Sequence, residues 1–252
     1  MLPMKNNLKL LALSTVAALA LTGCQTTQKE EMQKPTTSVT EVSMSKQSRL
    51  DHVLEKAAIE SAHAGQQQQS LSYLEKIYKR NSSDQNAAYG YAKALREGGM
   101  ADKANLVLSP FAFSDNVHTD ILVEFSHIQS SLGNYVTAEE YAKRALSQDM
   151  GSHKAQHALG IALDAQGRHK SAETAFRSAL DTWQGDPIPL LNNLALCLAA
   201  QGYLDESVML LQKAHNAMPN RTEIERNLRI IQTLREATPS FSPRPVKKPP
   251  ES

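Results

Sequence analysis

Apolar residues recur at helical spacing through the middle of the chain, and the periodic runs come in pairs separated by a short turn. In residues 153–187, Leu159 and Leu163 lie four positions apart on one face of a first helix. Ala172 and Phe176 repeat this spacing in a second helix. No run of alternating β-branched residues reaches strand length. The pattern therefore predicts an all-α protein built from helix pairs.

A glycine ends the first helix of each pair and recurs at a constant interval. Steps of 34 residues, and one of 35, connect Gly65, Gly99, Gly133, Gly167 and Gly202. The chain has only 11 glycines among 252 residues, so five in register indicate an internal repeat. Glycine suits this position because the chain leaves the helix with a positive φ, which other residues adopt only with strain.

Two further positions keep the same register and hold small side chains, which allow two helices to approach closely. One position, in the first helices, holds Ala58, Ala92, Ser126, Gly160 and Ala195. The other, in the second helices, holds Ser70, Ala104, Ala138, Ala172 and Ser207. These positions predict the crossing point inside each pair. Four of the second helices then carry a larger residue, namely Leu74, Leu108, Phe176 and Leu211, whereas the remaining one has Ala142.

These registers divide the predicted domain, residues 49–237, into five helix pairs and one closing helix. The pairs cover residues 51–84, 85–118, 119–152, 153–187 and 188–221. The closing helix, residues 222–237, has charged residues on one side and an apolar face made by Ile224, Leu228, Ile231 and Leu234. A stack of repeats leaves an apolar end, and a helix of this kind is expected to cover it.

The repeat length and the positions of the glycines and small residues resemble the tetratricopeptide repeat, whose unit is about 34 residues. The resemblance implies a right-handed superhelical solenoid of about five helix-turn-helix repeats with a C-terminal capping helix. The second unit departs from the pattern. Pro110 is expected to end its second helix early, which leaves Phe111 and Phe113 either packed into the core or exposed as an apolar patch.

Residues 1–23 have the pattern of an export signal. Lys5 and Lys9 precede an apolar segment of about a dozen residues, which is shorter than the roughly 20 residues that cross a bilayer. The segment ends Leu-Thr-Gly-Cys24, which resembles the bacterial lipoprotein signal in which the cysteine is lipid-modified and becomes the first mature residue. The alternative is an ordinary signal peptide with an unrelated cysteine. Gln25 is not the aspartate that retains such lipoproteins in the inner membrane, so the outer membrane is the predicted location.

Polar segments flank the predicted domain on both sides. Residues 24–48 are rich in Gln, Thr, Ser and Lys and are predicted to be a disordered tether. Residues 238–252 contain five prolines and are predicted to be a disordered tail, either a docking peptide or a solubilising end. With 27 basic and 26 acidic residues, the net charge of +1 gives no electrostatic reason to expect nucleic-acid binding.

The residues that could carry chemistry are few. Cys197 shares its register with core positions of the other units, so it is predicted to be a buried apolar residue. His153 and His157 have the i, i+4 spacing of metal ligands, but no acidic residue lies between them as in zinc proteases. A polar groove surface is the preferred interpretation of the two histidines. We therefore predict no enzyme activity, no cofactor and no metal.

The first helices of such a solenoid line its concave face. In the tetratricopeptide family, ligands contact recurrent positions of these helices, and the resemblance carries those positions onto this sequence. The resulting candidate partner-binding groove is Asn86, Tyr89, Lys93, Arg96, Asp120, Val123, His127, Lys154, His157, Ile161, Asn192 and Leu196. Its mixed polar and apolar character suits an extended or helical peptide of another protein.

The combination of signal, tether and repeats resembles a narrower family. The segments Asn192-Asn193-Leu-Ala-Leu and Arg226-Asn-Leu228 look like those of the tetratricopeptide lipoprotein of the tight-adherence (Tad/Flp) pilus machinery. The resemblance implies a lipid-anchored, pilotin-like assembly scaffold on the periplasmic face of the outer membrane, acting on the secretin or another component of the apparatus. The alternative is a general envelope lipoprotein that assists peptidoglycan or outer-membrane protein assembly. Neither interpretation assigns an oligomeric state.

Overall fold

The computed structural model describes residues 46–237, and the predictions for the signal peptide, for Cys24, for most of the tether and for the tail lie outside these residues. The described residues form helices without any strand, which confirms the predicted fold class. The helices are α1 (Lys46–His63), α2 (Gln67–Arg80), α3 (Gln85–Glu97), α4 (Ala101–Ala112), α5 (Thr119–Ser131), α6 (Tyr135–Gln148), α7 (His153–Ala165), α8 (His169–Asp181), α9 (Ile188–Ala200), α10 (Leu204–Ala217) and α11 (Thr222–Ala237).

The helices stack in chain order, and their contacts define the two sides of the stack. Each helix packs against the one that follows it. From α3 onward, each first helix also contacts the first helix of the next pair, with Cα atoms within 8 Å. Within residues 46–237, no second helix contacts another second helix in this way. The first helices therefore lie closer together than the second helices, so they occupy the concave side.

The crossing point inside each pair is made by the small residues that the sequence predicted. All ten residues at the two register positions are buried. Where the position holds serine, the hydroxyl can also bond the neighbouring backbone. Ser126 Oγ donates to Ala138 O at 2.7 Å, and Ser207 Oγ donates to Ala195 O at 2.7 Å. These bonds satisfy the two buried hydroxyls, which would otherwise destabilise the crossing.

The turn glycines have the predicted backbone conformation. The five in register have φ between +73° and +85°. At the fourth turn, Gly167 N–H donates to Asp164 O at 2.9 Å and Arg168 N–H donates to Leu163 O at 3.0 Å. These bonds satisfy the last carbonyls of α7 and reverse the chain into α8.

The prediction that Pro110 ends the second helix of the second unit is wrong. Helix α4 continues through Pro110 to Ala112. Arg144 on α6 stabilises this end, because its guanidinium donates to Ala112 O and Ser114 O at 2.6 Å each. A charged donor thus satisfies carbonyls that have no partner within the helix.

The two phenylalanines after Pro110 have different environments. Phe111 is partly buried against the core of the second and third units. Phe113 is 66% exposed, yet its ring centroid lies 5.8 Å from that of Phe125 in an edge-to-face arrangement. Phe111 therefore packs against the core, whereas Phe113 covers the edge of the core at Phe125.

The closing helix α11 covers the end of the stack as predicted, through three of its four apolar residues. Ile224, Leu228 and Ile231 are buried in a cluster with the fifth unit, whereas Leu234 is half exposed. At the other end, α1 begins at Lys46 and does not contact α3. Among the helices of residues 46–237, none is long and apolar enough to cross a bilayer.

Candidate functional site

The candidate groove lies on the concave side, because all of its predicted residues belong to α3, α5, α7 and α9. Their accessibility differs. Four are exposed, namely Asn86, Lys93, Asp120 and Lys154. Five are half-buried, namely Tyr89, Arg96, His127, Ile161 and Leu196. The three that are buried are Val123, His157 and Asn192. Val123 packs into the core, and Asn192 Oδ1 accepts a bond from Asn227 Nδ2 at 2.8 Å. These two side chains support the groove rather than face it.

The N-terminal half of the groove is organised by an ion pair between neighbouring repeats. Arg96 Nε on α3 lies 2.6 Å from Glu124 Oε1 on α5. The Glu124 side chain is only 5% exposed. Burial raises the pKa of the Glu124 carboxyl, against the opposing effect of the Arg96 hydrogen bond. Arg96 is therefore committed to a buried partner inside the protein.

Tyr89 and Lys93 are two other predicted groove residues on α3. Burial, with the charge of Glu124 next in importance, raises the pKa of Tyr89 to about 12. Its phenol stays neutral and can donate a hydrogen bond to a ligand. Lys93 is exposed and forms no ion pair within the described part of the chain. It is a cation that a ligand carboxylate can reach.

The predicted groove residues Asp120 and Lys154 pair with each other across one repeat. Lys154 Nζ lies 3.0 Å from Asp120 Oδ1, and both side chains are more than half exposed. An exposed pair of this kind contributes less than about 1 kcal/mol, so a ligand can open it at little cost.

Three histidines and the only tryptophan of the chain form a cluster across the third and fourth units, which we call the imidazole–tryptophan cluster: His127, His153, His157 and Trp183. The His157 ring centroid lies 6.1 Å from that of His127 and 5.4 Å from that of Trp183. His153 lies 5.0 Å from Trp183 on the same basis. Trp183 Nε1 donates to Asp186 O at 2.9 Å, which fixes the indole in the turn before α9.

The repeat register predicts His127 and His157 as groove residues, whereas Trp183 is not among the predicted groove residues. The signal was present, because the fourth unit has one extra residue and the tryptophan lies in that longer turn. Tryptophan combines a large apolar surface with a polar edge, and it is enriched at binding surfaces.

The two inner imidazoles of the cluster are neutral at physiological pH. Desolvation lowers the pKa of His127 to about 3, with the charge of His157 as the next cause. Desolvation likewise lowers the pKa of His157 to about 4, with a smaller effect of His153. Neutral His157 Nε2 accepts a bond from Asn193 Nδ2 at 2.9 Å, which the protonated ring could not accept.

These lowered pKa values predict that acid destabilises the fold at pH values well above those at which the two inner imidazoles of the cluster take up a proton. Below pH 6.5 the unfolded chain binds protons at His157 that the folded chain does not bind until about pH 4. Stability present above pH 6.5 is therefore lost as pH falls, by up to about 1.4 kcal/mol per pH unit for this residue. Urea denaturation across this range measures the slope.

Variants separate this effect from the titration of carboxylates. His157→Gln should show a smaller slope than the parent protein, because it removes one such proton. His63→Gln changes an exposed imidazole at the end of α1 and serves as the matched substitution control. Equal slopes in all three proteins would contradict the assignment.

Cys197 is buried as predicted, but it has polar neighbours. Its Sγ donates to His169 O at 3.2 Å. His169 Nδ1 lies 2.7 Å from Asp164 Oδ1. Burial, followed by the nearby Asp164 carboxylate, raises the pKa of the Cys197 thiol to about 12. The thiolate is the nucleophilic form of cysteine, so this environment opposes nucleophilic catalysis by Cys197.

The comparisons with known proteins agree with the geometry. Residues 127–187 match the tetratricopeptide repeat family. No curated protein matches significantly. A thermophilic tetratricopeptide-repeat protein of Thermus thermophilus superposes with a TM-score of 0.65 at 17% identity, over 73% of this chain and 99% of that one. A chain of the APC/C hetero-tetramer Cut9–Hcn1 superposes with a TM-score of 0.64 at 16% identity, over 73% of this chain and 36% of that one.

A third solved structure, a tetratricopeptide repeat protein from Parabacteroides merdae, gives a TM-score of 0.52 at 13% identity, over 74% of this chain and 73% of that one. At these identities the likeness concerns the fold alone. Together with the repeated helix pairs, it shows that the described domain has the fold of a tetratricopeptide-repeat solenoid.

Proposed function

We propose that this protein is a non-enzymatic scaffold that binds a segment of another protein in its concave groove. The observation that carries the proposal is a row of exposed or half-buried side chains on successive first helices, from Lys93 on α3 through His127 on α5 to Ile161 on α7 and Leu196 on α9. Stacked helix pairs use such concave surfaces for binding.

The chemistry of the groove favours a peptide with a polar end and an apolar end. Lys93 and the neutral phenol of Tyr89 offer a cation and a donor to carboxylate or carbonyl oxygens. Ile161 and Leu196 are half-buried apolar groups on α7 and α9. An apolar side chain of the ligand would gain about 25 cal/mol for each Å² that it buries there.

We further propose that a lipid on Cys24 anchors the domain to the periplasmic face of the outer membrane. There the protein would assist assembly of a tight-adherence pilus. Two sequence features support these finer assignments: Leu-Thr-Gly-Cys24 directly after the apolar segment, and the Asn192-Asn193 segment with its closing helix. The proposed binding partner is the secretin channel of the pilus apparatus.

A photo-crosslinking amino acid placed at groove positions tests the proposed binding surface. Replacement of Lys93 or Leu196 is expected to yield a specific adduct with an envelope protein in intact cells. Met209 on α10 is the matched control, because its side chain is 66% exposed and lies on a second helix. Equal yields at Met209 and Leu196 would show that the groove is not the binding surface. An adduct with a protein other than the secretin would retain the scaffold and reject the named partner.

Removal of the anchor tests the proposed location. Cys24→Ala is expected to move the protein from the outer-membrane fraction to the soluble periplasmic fraction, since the chain then lacks its acylation site. A variant that still sediments with outer membranes would disprove the anchor. Deletion of the gene should separately abolish pili and secretin multimers; a strain that keeps both would disprove the role in pilus assembly.

A further inference from the structure

Three side chains of different chemistry converge where the fourth and fifth repeats meet. Asp164 comes from the end of α7, His169 from the start of α8 and Cys197 from the middle of α9. A carboxylate oxygen, a ring nitrogen and the thiol sulfur, one from each residue, all lie within 4.8 Å of one another. No other described group of histidine, cysteine and acidic residues has this geometry.

The ligand set matches one class of ion. Zn²⁺ binds cysteine sulfur, histidine nitrogen and carboxylate oxygen in tetrahedral geometry, and a three-residue site leaves the fourth position to water. Mg²⁺ and Ca²⁺ prefer oxygen ligands, so a site with one sulfur and one nitrogen disfavours them.

Access and surroundings also suit a cation. Cys197 is fully buried, whereas the Asp164 and His169 side chains are 27% and 33% exposed, so the site opens to solvent on their side. Gln201 Nε2 donates to Glu173 Oε2 at 3.1 Å and lies 3.7 Å from the Cys197 sulfur. The same amide has its Oε1 buried without a hydrogen-bond partner. Buried acceptors of this kind are rare in proteins, and a metal-bound water would supply a donor.

We propose that Asp164, His169 and Cys197 form a Zn²⁺ site that fastens the fourth repeat to the fifth. Binding forms one bond from zinc to each residue and one to water, and the thiol proton of Cys197 leaves to solvent. No oxidation or reduction takes place. The hydrogen bond between His169 and Asp164 is replaced by two bonds to the ion, so α7, α8 and α9 become linked through it.

Cobalt(II) titration of the full chain, monitored by absorption, tests the proposal because Co²⁺ occupies zinc sites and reports thiolate coordination by a charge-transfer band. The expected result is a band that saturates at one ion per chain and disappears when Zn²⁺ is added. Zn²⁺ should also raise the melting midpoint, and Mg²⁺ should not.

Two cysteine variants make the test specific, since the chain has only two cysteines. Cys197→Ala should abolish the band and lower Zn²⁺ affinity by more than about tenfold. It should also fold, because Ala94 and Ala162 occupy the same register in other repeats. Cys24→Ala removes the other cysteine and should keep the band. Asp164→Asn, which retains an oxygen acceptor for His169, should weaken Zn²⁺ binding. A parent protein without the band, or a band that persists in Cys197→Ala, would overturn the proposal.

Discussion

Gly160→Ala is expected to lower the free energy of unfolding by about 2 kcal/mol, although alanine is the better helix former. A Cβ atom at this position of α7 would lie 2.4 Å and 2.5 Å from two ring carbons of Phe176 on α8. The Phe176 ring is 1% exposed and cannot swing into solvent. Either the ring or the helix must move, and both belong to a close-packed core.

The other repeats show how this collision can be relieved. At the same two register positions, Ala92 is paired with Leu108 and Ala195 with Leu211, so alanine occurs with the smaller leucine. The double variant Gly160→Ala/Phe176→Leu should therefore recover most of the lost stability. Urea denaturation of the parent, both single variants and the double variant measures the coupling. If the two substitutions simply add, the packing argument is wrong.

Gly160 and Phe176 illustrate what the sequence could predict. Small residues at the helix crossings and glycines at the turns recur every 34 or 35 residues, so a single sequence is enough to recognise them. The fold class, the turns and the buried crossings were therefore predicted. The register also indicates that these two residues lie opposite each other. The size of the destabilisation could be predicted only from the distance between the two helices.

The groove was less predictable, because exposure on the concave side depends on how far each repeat rotates over the next. Val123 and Asn192 occupy positions that bind ligands in other repeat proteins, yet both are buried here. Trp183 lies outside the periodic helices altogether. The end of α4 beyond Pro110 is bonded by Arg144, which lies more than 30 residues later in the sequence. Contacts of this kind leave no local pattern.

The Asp164, His169 and Cys197 group was missed for the same reason. None of the three residues departs from the repeat pattern at its own position, and the register of Cys197 predicts only a buried core residue. Only the stacking of α9 on α7 and α8 brings the three together.

Arg96→Met is expected to lower the free energy of unfolding by about 3 kcal/mol, because it leaves the Glu124 carboxylate buried without its partner. The ion pair joins α3 to α5 at 2.6 Å, and the Glu124 side chain is 5% exposed. Methionine retains the aliphatic contacts of arginine, so the loss reports the charge rather than a cavity. Lys154→Met is the matched control, because it breaks an exposed inter-repeat pair and should cost less than about 1 kcal/mol.

The double variant Arg96→Met/Glu124→Leu should regain most of the stability, since two apolar side chains can replace a buried pair without leaving a charge. The difference in unfolding free energy between the single and double variants, measured as a function of pH, then reports the ionisation of Glu124. Burial already raises the pKa of this carboxyl in the parent protein. Loss of Arg96 should raise that pKa further, so the cost is full at neutral pH and shrinks as the carboxyl takes up a proton in acid. The two inner histidines of the imidazole–tryptophan cluster are common to both variants, so their titration largely cancels in this comparison. If the difference in unfolding free energy stays constant between neutral and acidic pH, Arg96 stabilises the fold by packing and not by neutralising the Glu124 carboxylate.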